Sequence, residues 1–335
     1  MSFKKSTDPR QDEIHKWLKI VLPSSEYQME PASNDASFRR YFRVYQDSAS
    51  WIVMDAPPSQ EDTGPFVKIA AFLLSTGINV PQIVAQQVQL GFLLLSDLGH
   101  TQYLAKLNNR SANQLYQSAI DELIQIQQSN IGNITLPNYD AALLEQEMSL
   151  FPEWFLSKHL DVEPPKILND IYQLLIESAL EQPSVFVHRD FHSRNLMYLE
   201  NAKPGIIDFQ DAVVGPISYD LVSLLRDCYI SWSEQQLSDW ISYYYSRAQQ
   251  QGLLPNISIA QFTRWFDLMG LQRHLKILGI FCRLNYRDNK PNYLNDLPLT
   301  LHYVKKITAK YNELADLSHF LDHPKIAAIS AELAF

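Results

Sequence analysis

His188-Arg189-Asp190-Phe191-His192-Ser193-Arg194-Asn195 is the stretch that decides how this chain reads. An apolar run, Ser184 to Val187, leads into it, and further short apolar runs, Leu196 to Leu199 and Gly205 to Ile207, follow it. Short apolar runs between polar loops read as buried strands, so the octet is a loop among strands that carries a carboxylate at Asp190 and an amide at Asn195. A second carboxylate, Asp208, comes 13 residues after Asn195, again behind an apolar run, in Gly205-Ile206-Ile207-Asp208-Phe209-Gln210-Asp211. A lone loop aspartate usually caps a turn, but an ordered set of two carboxylates and an amide does more. Phosphoryl transfer asks for one carboxylate to orient and deprotonate an acceptor hydroxyl and for hard oxygen ligands to hold magnesium on the phosphates. On this reading Asp190 is the base, and Asn195 and Asp208 hold the metal. His188, two residues before the base, reads as architectural.

Outward from the loop the pattern changes character twice. Helical spacing dominates at Ala112 to Gln128, Ala141 to His159 and Lys166 to Glu181, and again at Ser218 to Ser231, Glu234 to Gln251, Ser258 to Asn285 and Leu297 to Glu313. Ahead of residue 97 the runs are β-like: Ser37 to Tyr45, Trp51 to Met54, Gln82 to Gln86 and Gly91 to Leu95. One helix is expected over Pro65 to Leu74, and a leading helix is capped by Asp8-Pro9 and stops at Pro23. The expected class is α+β with two lobes: a small β-rich N-terminal lobe over 1–98 and a larger, mainly helical lobe over 99–335 that carries the catalytic loop.

Composition narrows the chemistry. The 335 residues include only 10 glycines, none closer than Gly91 and Gly99. That excludes a G-x-G-x-x-G turn and a Walker-type loop, which need clustered glycines so that backbone can approach phosphate. A balance of 28 Lys+Arg against 37 Asp+Glu, −9 overall, argues against nucleic acid or an anionic membrane as partner and toward small molecules. Cys228 and Cys282 form no metal or disulfide pattern, and the polar stretch from Met1 to Asp12 lacks a signal-peptide core. A cytoplasmic location is expected.

The octet matches the H-R-D-x-x-x-x-N form of kinase catalytic loops. Together with Ile207 to Asp211 and Tyr219-Asp220-Leu221 it resembles the aminoglycoside phosphotransferase and choline-kinase group, relatives of the protein kinases with the same two-lobed fold. The resemblance implies ATP, Mg2+ and a small hydroxylated acceptor, and it gives Asp220 the role of fixing a helix start. Four further runs stand beside it: Asn34 to Arg43, Met54-Asp55-Ala56-Pro57-Pro58, Asp208 to Asp227, and Leu271 to Lys276 through Arg283 to Asp288. These resemble bacterial kinases of cell-wall recycling that phosphorylate N-acetylmuramate and N-acetylglucosamine at the anomeric hydroxyl. The alternatives are another small alcohol, of aminoglycoside, choline or homoserine type, or a catalytically silent nucleotide-binding relative.

One departure from the kinase pattern shapes the nucleotide site. Trp51-Ile52-Val53-Met54-Asp55 offers no lysine where a kinase strand supplies one for the phosphates. Arg39, Arg40 or Arg43 is the expected substitute, since arginine is a bidentate phosphate ligand, and the turn Ser33 to Ser37 stands in for a glycine-rich loop, with Ser37 adding a hydroxyl and an amide. Asp97 and Leu98, in Leu95 to Gly99 at the lobe boundary, fall where backbone would read adenine. Acceptor contacts are expected from Asp211, Arg226, Arg283, Asn285 and Arg287, an arginine being the natural partner of a carboxylated sugar.

Overall fold

Asp8 accepts a hydrogen bond from the Arg10 amide at 3.0 Å and so starts helix α1 (Pro9–Val21), whose apolar face, Ile14, Trp17 and Leu18, is buried. A computed structural model describes residues 8–34 and 38–331, and the chain divides into two compact units, Met1–His100 and Thr101–Phe335. Among the described residues of the first unit, the strands are β1 (Gln28–Asn34), β2 (Arg40–Gln46), β3 (Ala49–Asp55), β4 (Ile83–Gln87) and β5 (Phe92–Ser96). They form one antiparallel sheet in the order β1-β2-β3-β5-β4. Helix α2 (Gly64–Ser75) follows β3. Trp17 and Leu18 of α1 pack with Phe42, Val44, Val53 and Phe92 of the sheet, which places the core of this unit under β2, β3 and β5. Strand β1 goes unsignalled in the sequence, because Gln28-Met29-Glu30-Pro31 lacks the β-branched alternation that marked its neighbours.

In the second unit the helices are α3 (Ala112–Gln128), α4 (Ala141–Met148), α5 (Leu168–Leu180), α6 (Tyr219–Leu225), α7 (Glu234–Gln250), α8 (Ile259–Asp288), α9 (Leu297–Lys310), α10 (Ala315–Phe320) and α11 (Pro324–Ser330). Two small hairpin pairings interrupt them. Strand β6 (Ser184–Val187) pairs with β9 (Val213–Pro216), and β7 (Leu196–Met197) pairs with β8 (Gly205–Ile206).

Two expected helices are corrected. The single helix expected over 141–159 is α4 followed by a π-helical segment, Phe151–Leu160. Pro152 lacks the N–H that would continue the α-ladder, and the chain winds wider from there. Gly279 of α8 packs on the backbone at this junction: a Cβ at that position would lie 2.3 Å from the carbonyl carbon of Leu150. The helix expected over 218–231 ends at Leu225 instead. Asp227 turns its carboxylate back onto the Tyr229 amide at 3.1 Å, a local bond that competes with helical continuation.

Candidate active site

The catalytic loop leaves β6 at Val187 and enters β7 at Leu196, while Asp208 lies just beyond β8. Pairing of Leu196 with Ile206 therefore brings the two ends together. Phe191 and Phe209, both fully buried, anchor the two segments. Asn195 is the link between them. Its Nδ2 donates to the backbone oxygen of Asp190 at 3.0 Å and to Asp208 Oδ2 at 3.1 Å, and the Ile207 amide donates to the Asn195 carbonyl at 3.1 Å. Gln210 Nε2 then bridges Asp208 Oδ1 at 2.8 Å and Asp211 Oδ2 at 3.2 Å. Asp190, Asn195, Asp208 and Asp211 thus form one bonded set.

The loop holds a backbone that L-residues rarely adopt, with φ of 75° at Arg189 and 67° at Asp208, so something must enforce it. Asp220 on α6, 0% exposed, accepts from the His188 amide at 2.7 Å and the Arg189 amide at 3.0 Å. Asp220 lies in the first turn of α6, at the helix start where the resemblance put it, and its carboxylate also clamps the catalytic loop. Asp227 does the same one step further on, accepting from the Ser193 amide at 3.0 Å and from the Ser193 hydroxyl. His188 is architectural: its Nε2 meets the Ile207 carbonyl at 3.1 Å, and its Nδ1 accepts from the Asp190 amide at 3.3 Å. Burial, only partly offset by Asp190, pushes its pKa down to about 4, so the ring stays neutral and keeps both bonds.

Part of the electrostatics around Asp190 comes from a helix that the loop sequence does not reveal, with Lys276 and Arg273 on α8 acting beside the loop's own Arg189 and His192. Burial works against its charge, but Lys276, His192, Arg273 and Arg189 outweigh it and hold the carboxyl below its ordinary value. Glu147 on α4 gathers two of these cations. It pairs with Arg189 and, at 2.9 Å, with Lys276 Nζ, which also donates to the Tyr219 hydroxyl at 3.1 Å; the Tyr139 hydroxyl donates to Glu147 as well. Sequence reasoning missed Glu147, Arg273 and Lys276 as members of this set. Cations inside Asp267 to Phe281, among Phe266, Met269, Leu271, Leu275, Ile277 and Leu278, were the available signal, since a charge in an apolar helical stretch is kept only when it is paired or used.

The other expected acceptor residues are dispersed. Arg226, 5% exposed, donates to Asp267 Oδ1 at 2.6 Å and stacks on Phe266, so part of its guanidinium is engaged inside the second unit. Arg287 is exposed and pairs with its neighbour Asp288 at 2.8 Å. Arg283, Asn285 and Arg287 lie in the last turns of α8, whereas the cations felt at Asp190 lie about ten residues earlier, about 15 Å along the helix.

In the N-terminal unit the three arginines are all engaged. Arg43, 8% exposed, donates to both oxygens of Asp97, at 2.8 and 3.2 Å, and to the Gly99 carbonyl at 2.7 Å, with His100 Nδ1 at 2.5 Å. Two residues expected at the nucleotide, Arg43 and Asp97, are therefore partners of each other. Arg40 and Arg10 clasp the fully buried Asp55, each with an Nε contact of 2.9 Å, and Arg40 also pairs with Asp8. Arg39 pairs with Glu61 at 3.1 Å. Leu98 is half-buried beyond β5, and Ser37 lies outside the described residues.

Among the described residues no group of three or more His, Cys, Asp or Glu side chains is placed to hold a metal ion, and no helix is long and apolar enough to cross a membrane. Burial pushes the free thiols of Cys228 and Cys282 up to about 11 and about 12, which leaves them protonated packing groups.

Residues 28–253 match the family model described as the phosphotransferase enzyme family. The chain belongs to this family. It is 44% identical over 330 residues to N-acetylmuramate/N-acetylglucosamine kinase of Pseudomonas aeruginosa, covering 94% of this chain and 97% of that one. The protein of the same name from Neisseria meningitidis is 41% identical over 317 residues, covering 92% and 94%. Among solved structures, spectinomycin phosphotransferase in complex with ADP and spectinomycin aligns with a TM-score of 0.60 at 13% identity, covering 92% of this chain and 97% of that one. The fold is the protein-kinase-like fold of the family, and the chain is a phosphotransferase.

Proposed function

We propose that the chain is a cytoplasmic, ATP- and magnesium-dependent kinase of amino sugars. It transfers the γ-phosphoryl group of ATP to the anomeric hydroxyl of N-acetylmuramate or N-acetylglucosamine, giving the sugar 1-phosphate and ADP. The observation that carries the reading is the bonded set Asp190, Asn195 and Asp208, in a chain more than two-fifths identical to a relative named for those two sugars. ATP as donor is supported by the ADP named with a relative of the same fold.

Asp190 takes the proton of the acceptor hydroxyl as that oxygen attacks the γ-phosphorus, and the bond to the ADP oxygen breaks. Lys276, Arg273 and Arg189 keep Asp190 ionised for this task. Asn195 and Asp208 fit a magnesium ion: the Asn195 amide hydrogens turn inward to Asp190 and Asp208, which leaves the amide oxygen as ligand atom. Two protein oxygens suit magnesium, which takes the rest of its shell from substrate phosphates and water. Bound there, the ion neutralises charge on the phosphates. Of the three N-terminal arginines we assign the missing lysine's role to Arg39, whose pairing with Glu61 repeats the cation–glutamate pair that kinases place at the phosphates.

The test is turnover of purified protein with magnesium-ATP against N-acetylmuramate, N-acetylglucosamine, choline and an aminoglycoside, read by ADP release and phosphorus NMR. A sugar 1-phosphate signal is expected, with Asp190→Ala lowering kcat about 10²- to 10⁴-fold. Turnover on choline or the aminoglycoside alone overturns the acceptor assignment, and an unchanged Asp190→Ala rate removes the base.

A further inference from the structure

The two proposed acceptors differ by one charge, the lactyl carboxylate that N-acetylmuramate carries and N-acetylglucosamine lacks. Most cations near the catalytic loop are already committed. Arg189 belongs to Glu147, Lys276 to Glu147 and the Tyr219 hydroxyl, and Arg226 to Asp267. Arg194 lies 3.4 Å over the ring of Tyr229. Arg189 Nε and Arg226 Nη1 are likewise buried without a hydrogen-bond partner, but each of those side chains also pairs with a carboxylate, and among the described residues Arg273 does not. It is 4% exposed, and its Nε and Nη1 are buried with no hydrogen-bond partner among the described residues.

A guanidinium cannot shed its proton, and buried donors left idle beside a reaction centre call for an acceptor, best an anion that two parallel N–H groups can grip. Arg273 stands one helical turn before Lys276, on the same face of α8. That face is the one whose Lys276 reaches Tyr219 and Glu147, the latter paired to the residue next to Asp190. The lactyl group and the anomeric carbon are separated by part of one sugar ring. An acceptor whose anomeric hydroxyl meets Asp190 therefore holds its carboxylate within a few ångströms of the base.

We propose that Arg273 is a specificity-determining residue that receives the lactyl carboxylate of N-acetylmuramate through its idle Nε and Nη1 donors. The inference rests on the reading of the chain as a kinase of these sugars. Asp190, Asp220 and Asp227 also lie within electrostatic reach of the guanidinium, so the competing account makes it only an internal counter-ion of these carboxylates.

The experiment measures kcat/KM with N-acetylmuramate, with its neutral lactyl amide and with N-acetylglucosamine, using the full chain unmutated and as Arg273→Lys and Arg273→Met. The unmutated chain is expected to prefer the acid over the amide by about 10- to 100-fold, the worth of a hydrogen bond to a charged group. Arg273→Met is expected to bring that ratio close to one, with a much larger loss for N-acetylmuramate than for N-acetylglucosamine, and Arg273→Lys to recover part of it. Equal rates for acid and amide in the unmutated chain overturn the inference, and this outcome needs no variant to fold. Proportional losses on all three acceptors overturn it in favour of the counter-ion account. Failure of the unmutated chain to phosphorylate either sugar overturns the functional reading itself.

Discussion

Asp220→Ala separates the clamp from the chemistry. The carboxylate is fully buried and accepts two backbone amides, those of His188 at 2.7 Å and Arg189 at 3.0 Å. Alanine leaves both donors buried without an acceptor, at about 1–3 kcal/mol each, so the folded state loses about 2–6 kcal/mol. That is a large share of a typical domain's 5–15 kcal/mol. The loss has a second consequence, because the 75° φ at Arg189 is a strained conformation that the two bonds hold in place. Once released, the loop moves Asp190 off line, and a misplacement of about 1 Å costs about 10²-fold in rate. Urea denaturation gives the stability change, and steady-state turnover well below the unfolding midpoint gives kcat. A stability loss under about 1 kcal/mol, or a kcat within a few-fold of the unmutated chain under conditions where the variant is folded, refutes the clamp.

Three further outcomes are expected. Burial pushes Asp220 from 3.8 up to about 7, so the folded chain keeps a proton that the unfolded chain releases. This stabilisation is full below about pH 4 and is lost as pH rises to about 7, with a ceiling of about 4 kcal/mol at 1.36 kcal/mol per pH unit, the opposing pull of the two amide donors being already contained in that shift. The stability of the unmutated chain minus that of Asp220→Asn, from denaturation at a series of pH values, should fall over that window, and a flat or rising difference contradicts it. Gly279→Ala should lower the thermal midpoint through a loss of about 1–3 kcal/mol or more, because its Cβ would sit 2.3 Å from the Leu150 carbonyl carbon; an unchanged melt counts against that packing. Arg39→Met should raise KM for ATP about 10- to 100-fold, whereas Arg43→Met, by stranding the buried Asp97, should cost about 3–5 kcal/mol of stability. Kinetics and melting of the pair read the contrast, and a reversed pattern of effects exchanges the two roles.

What the sequence determined by itself was local. The order of Asp190, Asn195 and Asp208, the strands that flank them and the period of α3 or α7 all reside in neighbours along the chain, where one residue's spacing to the next carries the physics. Helix α3 falls on Ala112–Gln128 as its periodicity predicts. What only the tertiary structure decided was which charges are spent. Arg43 finds Asp97 54 residues away and Arg226 finds Asp267 41 residues away, and nothing in either local sequence distinguishes a committed arginine from one left for a ligand. The same holds for Glu147, Arg273 and Lys276, drawn around Asp190 from α4 and α8. A buried charge persists only with a partner, and the partner is chosen by how distant segments pack, so the loop could be read from the sequence and its electrostatic surroundings could not.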